Sequence, residues 1–273
     1  MHASGNSFDE NVVLPLSAKL RGSQVVEMGS WQSTTANPNA LRMREVCHVN
    51  FSYVFWDDLD ELRKNVKPFL PWADKHFEQE RVSGMPINPG ETYKEWRYPA
   101  SAAQHTDFEF SHSYAERYWP RYAGNGNGGH LTPNDEDIRT VTSNRGIRHS
   151  YGDLADLILL LANDPTTRQA YLPVWFPEDL FAARKKERVP CTLGYHFICR
   201  NGLLDIVYPM RSCDFVRHFR DDVYLTCRLL LWVLENLKAR AKGGLADERW
   251  ASVESGALHM NITSLHCFES DEL

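Results

Sequence analysis

The feature that most constrains this fold is a β-hairpin between residues 190 and 214. From Leu193 to Cys199, successive side chains point to opposite faces, the period of two expected of a strand. Asn201-Gly202 follows, a strong signal for a two-residue turn because both positions tolerate positive φ. Residues 203 to 210 then run back along the first strand. The pairing therefore brings a thiol, Cys191, and a guanidinium, Arg211, to one end of the sheet.

The length and composition predict one globular domain. The chain has 273 residues, of which 42% are hydrophobic, enough for a substantial core over residues 1–273. The formal charge of −6 disfavours non-specific nucleic-acid binding, although a local basic pocket could still hold an anionic mononucleotide. No apolar run approaches the roughly 20 residues of a membrane span, so we expect neither a nucleic-acid nor a membrane partner.

Two segments are expected to lie outside the regular fold. Residues 1–10 are polar, without the apolar core of a signal peptide, and are expected to be disordered. Residues 99–150 show no regular periodicity and are expected to form an insertion. The 6 cysteines form no CxxC pair and no zinc spacing, which predicts reduced thiols, a cytoplasmic protein and no metal site.

Helix patterns flank the hairpin. Residues 153–162 place four aliphatic side chains on one stripe, which predicts a helix. A longer core helix is predicted over Val223 to Lys242, with Asp221 or Asp222 as its N-cap. A final strand is predicted over Ser255 to Phe268.

Three spaced motifs carry a family resemblance. Pro190-Cys191 is followed, twenty residues after the cysteine, by Arg211-Ser212-Cys213-Asp214, and Asp222 lies eleven residues after the arginine. This pattern resembles the thymidylate synthase superfamily. The resemblance implies an α+β fold, a large twisted mixed sheet with helices packed on one face. It also implies a homodimer formed back to back through those sheets, with active sites shared across the interface.

The resemblance also suggests how a nucleotide would be anchored. Arg168 follows Asn163-Asp164-Pro165, as does the family arginine that reaches the phosphate in the neighbouring subunit. Arg21 is similar to the family's early phosphate-binding arginine, although an exposed turn arginine explains it equally well. Arg211 and Ser212 match substrate-binding positions. His266 and Phe268 match the His-x-Tyr pair that holds the sugar, except that Phe268 lacks the hydroxyl.

A second motif points to a branch of the superfamily and to a folate site. Residues 89–96, from Pro-Gly-Glu-Thr to Trp96, resemble phage-type deoxycytidylate hydroxymethylases, whose tryptophan lines the folate site; a core tryptophan is the alternative. Asp214 matches the family aspartate near the folate ring. The family's essential glutamate falls at Asp74, with Glu78 as the alternative position.

The chemistry assigns roles to Cys191 and Asp222. A thiolate that adds to C6 of a pyrimidine makes C5 able to attack an electrophilic one-carbon unit. Cys191 fits that role, with Arg211 placed to stabilise the thiolate or bind phosphate; a buried structural thiol is the alternative. The carboxyl of Asp222 would accept from the cytosine amino group and, with a shared proton, address N3. Its alternative role is a helix cap.

These residues predict a C5 hydroxymethyltransferase. The substrate would be CMP or dCMP, the co-substrate 5,10-methylenetetrahydrofolate, and the catalytic residues Cys191, Asp74 and Asp222. The alternatives are thymidylate synthase-like methylation of dUMP, folate-independent C5 chemistry, or a non-catalytic nucleotide-binding dimer.

Overall fold

The computed structural model describes residues 1–27, 42–98, 110, 112–120, 152–185, 187–271 and 273. The described strands are β1 (His2–Ser4), β2 (Val25–Glu27), β3 (Arg42–Val54), β4 (Tyr171–Pro173), β5 (Gly194–Arg200), β6 (Leu203–Asp214) and β7 (Glu254–Phe268). The described α-helices are α1 (Leu14–Gly22), α2 (Leu59–Val66), α3 (Trp72–His76), α4 (Tyr114–Tyr118), α5 (Leu154–Asn163), α6 (Pro177–Arg184) and α7 (Phe219–Lys242). A π-helical turn, Phe77–Arg81, continues α3.

The described strands form one mixed sheet in the order β1-β3-β7-β6-β5-β4, with β2 paired to β3. The two longest strands, β3 and β7, are antiparallel, whereas β7 and β6 are parallel. A parallel pair needs a crossover connection, and α7 supplies it between β6 and β7. The predicted α+β class with a large mixed sheet is confirmed.

The hairpin forms where the sequence predicts it. Asn201 and Gly202 both have positive φ, 52° and 76°, as a tight turn between twisted strands requires. His196 pairs with Val207, and this register runs back to the open end of the hairpin. There the Arg211 amide donates to the Cys191 carbonyl at 2.9 Å, so the two residues are fixed as neighbours.

Helix α7 covers the core-facing side of the sheet. It is buried along most of its length, with Val223, Leu230 and Leu237 fully inaccessible to solvent. It begins at Phe219, four residues earlier than the pattern predicts, because Phe219 itself packs into the core among Phe8 and Phe51. The predicted N-cap role of Asp221 or Asp222 is therefore wrong, since both lie inside the first turn. By contrast, α5 begins after Asp153 as expected, and the Asp153 side chain accepts from the Asp156 amide.

The first residues differ from the expectation of disorder. His2–Ser4 form a strand parallel to Ser52–Val54, and Phe8 is completely buried against Tyr53. One large aromatic side chain is enough to anchor a polar segment when it enters the core. The predicted insertion, 99–150, lies mostly outside the described residues, which there include only 110 and 112–120 with α4.

Within the described ranges, we find no helix that combines the length and the apolar character needed to cross a bilayer.

Candidate active site

A cavity of about 210 Å³ opens where the end of β6 meets the start of α7. Its other walls come from α3 with its π-helical turn, from the segment around Gly90, and from α4. Two groups of side chains share the lining. The aromatic group comprises Trp72, Tyr93, Trp96, Phe110, Tyr114, His76, His112 and His218. The charged and thiol group comprises Glu80, Arg81, Arg188, Asp214, Asp221, Asp222, Cys191 and Cys213.

Cys191 presents a free thiol to this cavity. Its Sγ lies 3.4 Å from the Ser212 Oγ, which donates to it, and 3.9 Å from Nη2 of Arg211. The sulfur is only half-buried, so a ligand in the cavity can reach it. A guanidinium and a hydroxyl donor beside an accessible sulfur are typical surroundings of a reactive cysteine. The arrangement therefore suits a nucleophile better than an inert core cysteine.

Arg211 is fixed by the backbone of the hairpin. Its Nε donates to the Pro190 carbonyl and its Nη2 to the Val189 carbonyl, both at 2.9 Å. Nη1 lies 3.3 Å from the Ser212 hydroxyl. These acceptors are all neutral, and among the described residues no carboxylate forms an ion pair with the guanidinium beside the Cys191 sulfur.

Asp222 is a carboxyl that can change its ionisation near neutral pH. Burial raises its pKa to about 7, and the charge of Arg81 opposes that rise. The Cys213 thiol donates to its Oδ2 at 3.7 Å. Its backbone amide donates to the His218 carbonyl within α7, so its side chain does not cap the helix. Asp222 is therefore not a helix cap, and its carboxyl lines the cavity.

Asp214 holds the turn between β6 and α7. Its Oδ1 accepts from the Val216 and Arg217 amides, both at 3.0 Å. Burial raises its pKa to about 6, although these amides and the Arg217 charge oppose the rise. The Asp214 carboxyl thus stabilises the turn between β6 and α7 in addition to lining the cavity.

Aromatic rings form one wall of the cavity. Trp96 stacks on His218 with ring centroids 4.8 Å apart and an interplanar angle of 25°. Trp72 lies 5.9 Å from Trp96. Burial lowers the pKa of His218 to about 3, so its ring is neutral at physiological pH and adds flat, uncharged surface. Such a wall suits a planar heterocycle.

The fold has a solved counterpart. Thermostable thymidylate synthase A from Bacillus subtilis superimposes with a TM-score of 0.59, covering 96% of this chain and 79% of that one at 14% identity. This chain has the thymidylate synthase fold. A bifunctional dihydrofolate reductase-thymidylate synthase from Paramecium tetraurelia is 33% identical over 86 residues, which is 32% of this chain and 17% of that protein. No protein-family model matches the chain.

The thymidylate synthase fold gathers only part of the predicted site. Five of the predicted residues line the cavity: Cys191, Ser212, Asp214, Asp222 and Trp96. Arg211 does not line it but contacts the Cys191 sulfur. The branch resemblance to hydroxymethylases finds no counterpart in these two similar proteins, which are both thymidylate synthases by name.

Asp74 does not reach the cavity. Its carboxylate is held by Arg63 at 3.0 Å, by the hydroxyl of Tyr224 and by Arg228. Glu78, the alternative, pairs with Arg228 at 2.9 Å and is 60% exposed. Both residues lie on the side of α3 and its following turn that faces the middle of α7, which is why a count along the chain could not place them in the site.

Glu80 is the acid that the sequence reasoning missed. Trp72, His76 and Glu80 recur every four residues and line the cavity together, as the helical repeat dictates. The Glu80 side chain is 8% exposed and accepts from the Thr92 amide at 2.9 Å. The period of four starting from Trp72 was the signal that could have identified it.

The remaining predicted residues lie outside the cavity. Arg168 is exposed, and its carbonyl is 3.0 Å from the His196 ring. Arg21 is exposed and donates to the Leu273 carbonyl. His266 and Phe268 are buried on β7, with the Arg217 guanidinium 4.4 Å from the centre of the Phe268 ring.

A hydroxyl network beside the thiol was also missed. The Thr192 Oγ1 lies 2.8 Å from the hydroxyl of Tyr114 and 2.8 Å from that of Tyr208. Tyr114 comes from α4, inside the segment without periodicity, so no sequence signal indicated its place.

Proposed function

We propose that this chain transfers a one-carbon unit to C5 of a pyrimidine nucleotide, and that it hydroxymethylates CMP or dCMP. The observation that supports this most is the placement of the Cys191 thiol and the Asp222 carboxyl in one cavity, with Arg211 and Ser212 beside the sulfur. A C5 reaction needs a nucleophile for C6 and a group that recognises the base edge.

Cys191 is the proposed nucleophile. Its thiolate forms a bond to C6, and the electrons of the C5–C6 double bond move onto C5. C5 then bonds to the one-carbon unit. Loss of the C5 hydrogen as a proton and departure of the carrier amine, which takes the electron pair of its bond to that carbon, leave an exocyclic methylene group on the ring. Addition of water to the exocyclic carbon and expulsion of the Cys191 thiolate restore the double bond and leave a hydroxymethyl group.

Asp222 is the proposed base-recognition group. Cytosine presents an amino donor beside the N3 acceptor, whereas uracil presents N3–H beside the O4 acceptor. A carboxyl with a pKa of about 7 accepts from the amino group and shares a proton with N3. This is why we favour cytidylate over uridylate.

The proposed co-substrate is 5,10-methylenetetrahydrofolate, which supplies carbon at the oxidation level of formaldehyde. The wall formed by Trp96 and His218 offers a flat surface for its ring system. The carboxyls of Asp214 and Asp221 line the same cavity and are suited to accept from ring nitrogens. The residues present therefore fit a folate.

We further propose a homodimer that shares its active sites. The sheet face away from α7 carries half-buried or exposed side chains such as His196, Val207 and Asn261, and a second sheet could cover it. Arg168 is exposed and away from its own cavity, as expected of a residue that serves a neighbouring subunit. The 6 free thiols are compatible with the proposed cytoplasmic location.

The test is release of tritium from C5-labelled CMP and dCMP, with and without methylenetetrahydrofolate. We expect folate-stimulated release from at least one of them, and loss of release in Cys191→Ser while nucleotide binding survives. Cys47→Ser, at an exposed thiol that does not line the cavity, is the matched control and should react normally. Release from Cys191→Ser at the wild-type rate, or turnover of dUMP alone, would contradict the proposal.

A further inference from the structure

A buried arginine in the cavity has no role in the reaction as proposed so far. Arg81 is only 4% exposed and lies in the π-helical turn after α3. Its guanidinium carbon sits 4.2 Å from the centre of the Tyr114 ring, and its Nη1 lies 3.4 Å from the Tyr118 hydroxyl. Burying a guanidinium is costly unless hydrogen bonds and a counter-charge compensate for the lost hydration.

Within the part of the chain that the structure describes, the compensation comes through a histidine rather than from a direct carboxylate contact. The Arg81 Nε lies 2.9 Å from the His76 Nε2. Because a guanidinium N–H can only donate, the His76 Nε2 must be the acceptor. The one N–H hydrogen of the neutral His76 ring must therefore be on Nδ1. Nδ1 lies 2.7 Å from Oε2 of Glu80 and donates to it. The geometry thus fixes one neutral tautomer of His76 between a cation and an anion.

The ionisation of both partners agrees with that geometry. Burial lowers the pKa of His76 below its ordinary value, which keeps the ring neutral. Burial alone would raise the pKa of Glu80, but the bond from His76 and the bond from the Thr92 amide outweigh it, so the pKa is lowered. Glu80 is therefore ionised and separated from Arg81 by the width of an imidazole.

This separation leaves the Arg81 charge available to the cavity. Arg81 and Asp222 line the same space, and Arg81 is the positive charge that acts most strongly on the Asp222 carboxyl. Other titratable groups also act on Asp222 from the elements packed around it: Asp221 on its own helix, Cys213, Asp214 and Tyr208 on β6, Tyr195 on β5, and Tyr114 on α4. The carboxyls and phenols among these groups oppose the ionisation of Asp222 when they carry charge, whereas the hydrogen bond from the Cys213 thiol favours it. Glu80, Arg188 and His218 line the same cavity.

We propose that Arg81, held by the Glu80–His76 pair, is a positioning residue that favours the ionised form of Asp222 and so selects cytosine over uracil. This inference rests on the proposed function. Cytosine N3 is basic enough to share a proton with a carboxylate, whereas uracil O4 is a much weaker base and would meet the carboxylate lone pair to lone pair. A neutral carboxyl, by contrast, could donate to O4 and accept from the uracil N3–H. Arg81 therefore disfavours the one form of Asp222 that accommodates uracil.

Two substitutions among Arg81, His76 and Glu80 should shift the pKa of Asp222 in opposite directions. Arg81→Met removes the cation, so the pKa of Asp222 should rise by about one unit or more. Glu80→Gln removes the anion behind the cation and leaves an amide that can still accept from His76, so the pKa of Asp222 should fall below the wild-type value. A purely structural role for the cluster would not produce shifts of opposite sign.

The measurements are a carbon-13 NMR titration of the Asp222 carboxyl in the nucleotide-free protein and calorimetric binding of CMP and UMP across about pH 5 to 9. We expect Arg81→Met to lower the ratio of CMP to UMP affinity by about tenfold at pH 7.5, in line with a pKa change of about one unit. Arg81→Lys keeps the charge and should keep most of the ratio. Arg228→Met, at a buried arginine that contacts Asp74 and Glu78 outside the cavity, is the matched control and should leave the Asp222 titration unchanged.

The outcomes separate this inference from the proposed function. An Asp222 titration that is unchanged in both Arg81→Met and Glu80→Gln overturns the role of Arg81, even if the wild type prefers cytidylate. If Arg81→Met does not fold, the Glu80→Gln variant alone decides. An Asp222 titration midpoint in that variant that equals or exceeds the wild-type value overturns the proposal. Wild-type protein that binds neither CMP nor UMP overturns the nucleotide function and the selection together, whatever the NMR titration shows.

Discussion

Two clusters of charge lie against the same helix, α7, and they differ in how the charges are paired. Near the middle of the helix, Arg228 contacts the carboxylates of Asp74 and Glu78 directly, and Arg63 adds a second contact to Asp74. We call this group the ion cluster. At the start of the helix, the cavity holds Asp222, whose hydrogen-bond donor is a thiol.

The difference shows what keeps a buried carboxyl titratable near neutral pH. In the ion cluster each charge contacts an opposite charge, and these ion pairs stabilise the packing of α3 against α7. In the cavity, Arg81 contacts a neutral imidazole, and burial keeps the pKa of Asp222 at about 7. A carboxyl with such a pKa can exchange a proton with a ligand, which is the property expected at functional sites.

The largest effect should come from breaking the ion cluster. Arg228→Met would leave Asp74 and Glu78 without their shared partner, and we expect a loss of about 3 kcal/mol in the free energy of unfolding. Chemical denaturation at pH 7 measures it. Arg184→Met, at an exposed arginine on α6, should change stability by no more than about 0.5 kcal/mol. Equal losses in the two variants would contradict the assignment of the ion cluster to stability.

The cavity should show the opposite behaviour, since Asp222 is expected to destabilise the fold when it ionises. Its pKa is about 7 in the folded protein, well above the 3.8 of a free side chain, so the folded state holds a proton that the unfolded state has lost. The free energy of unfolding should therefore fall as the pH rises from about 4 to 7 and then level off.

Asp222→Asn should abolish this decrease in the free energy of unfolding with rising pH. We expect the variant to be more stable than wild type by about 2 to 4 kcal/mol at pH 8, and by little at pH 4. Denaturation curves at both pH values give the comparison. Asp74→Asn should instead lose stability at pH 8, because it weakens the contacts to two arginines. A gain from Asp74→Asn, or a pH-independent effect of Asp222→Asn, would erase the distinction between the two clusters.

The same Asp222→Asn variant should change the preferred nucleotide. An amide can pair with both N3–H and O4 of uracil, so the ratio of kcat/KM for cytidylate over uridylate should fall by about 10- to 100-fold. Steady-state assays with both nucleotides measure the ratio. Asp74→Asn, in the ion cluster, should leave it unchanged, and a similar fall in that variant would show that the effect is indirect.

The smallest effect concerns Phe268, which lies beside His266 and outside both clusters. Phe268 lies outside the cavity lining, so the hydroxyl added by Phe268→Tyr reaches the sugar only if the nucleotide extends from the cavity to β7. In that case dCMP should improve relative to CMP by about three- to tenfold. A competition assay with both nucleotides measures it. A wild-type protein that already strongly prefers dCMP would show that other groups select the sugar.

The hairpin and its spacing were predictable because they depend on local chemistry. A two-residue turn that tolerates positive φ sets the register, and the register alone makes Cys191 and Arg211 neighbours. The helix before Asn163 was predictable for a similar reason, since Asp153 caps a strongly apolar stripe.

The acids of the site were not predictable in the same way. Asp74 and Glu80 lie six residues apart in one acidic stretch, and nothing in their local sequence says which of them faces the cavity. The direction in which α3 packs on α7 decides it, through contacts made by residues about 150 positions apart, such as Arg228 with Asp74. The start of α7 was misplaced because Phe219 enters a core built from distant aromatic residues.

The sequence by itself thus determined that Cys191 and Arg211 are neighbours and which turn joins their strands, because short-range hydrogen bonding and strand alternation specify both. Only the tertiary structure decided which carboxyl groups are neutralised and which remain titratable. Burial and the distance to a counter-charge set the pKa of Asp222, and both arise from chain segments that meet only after folding.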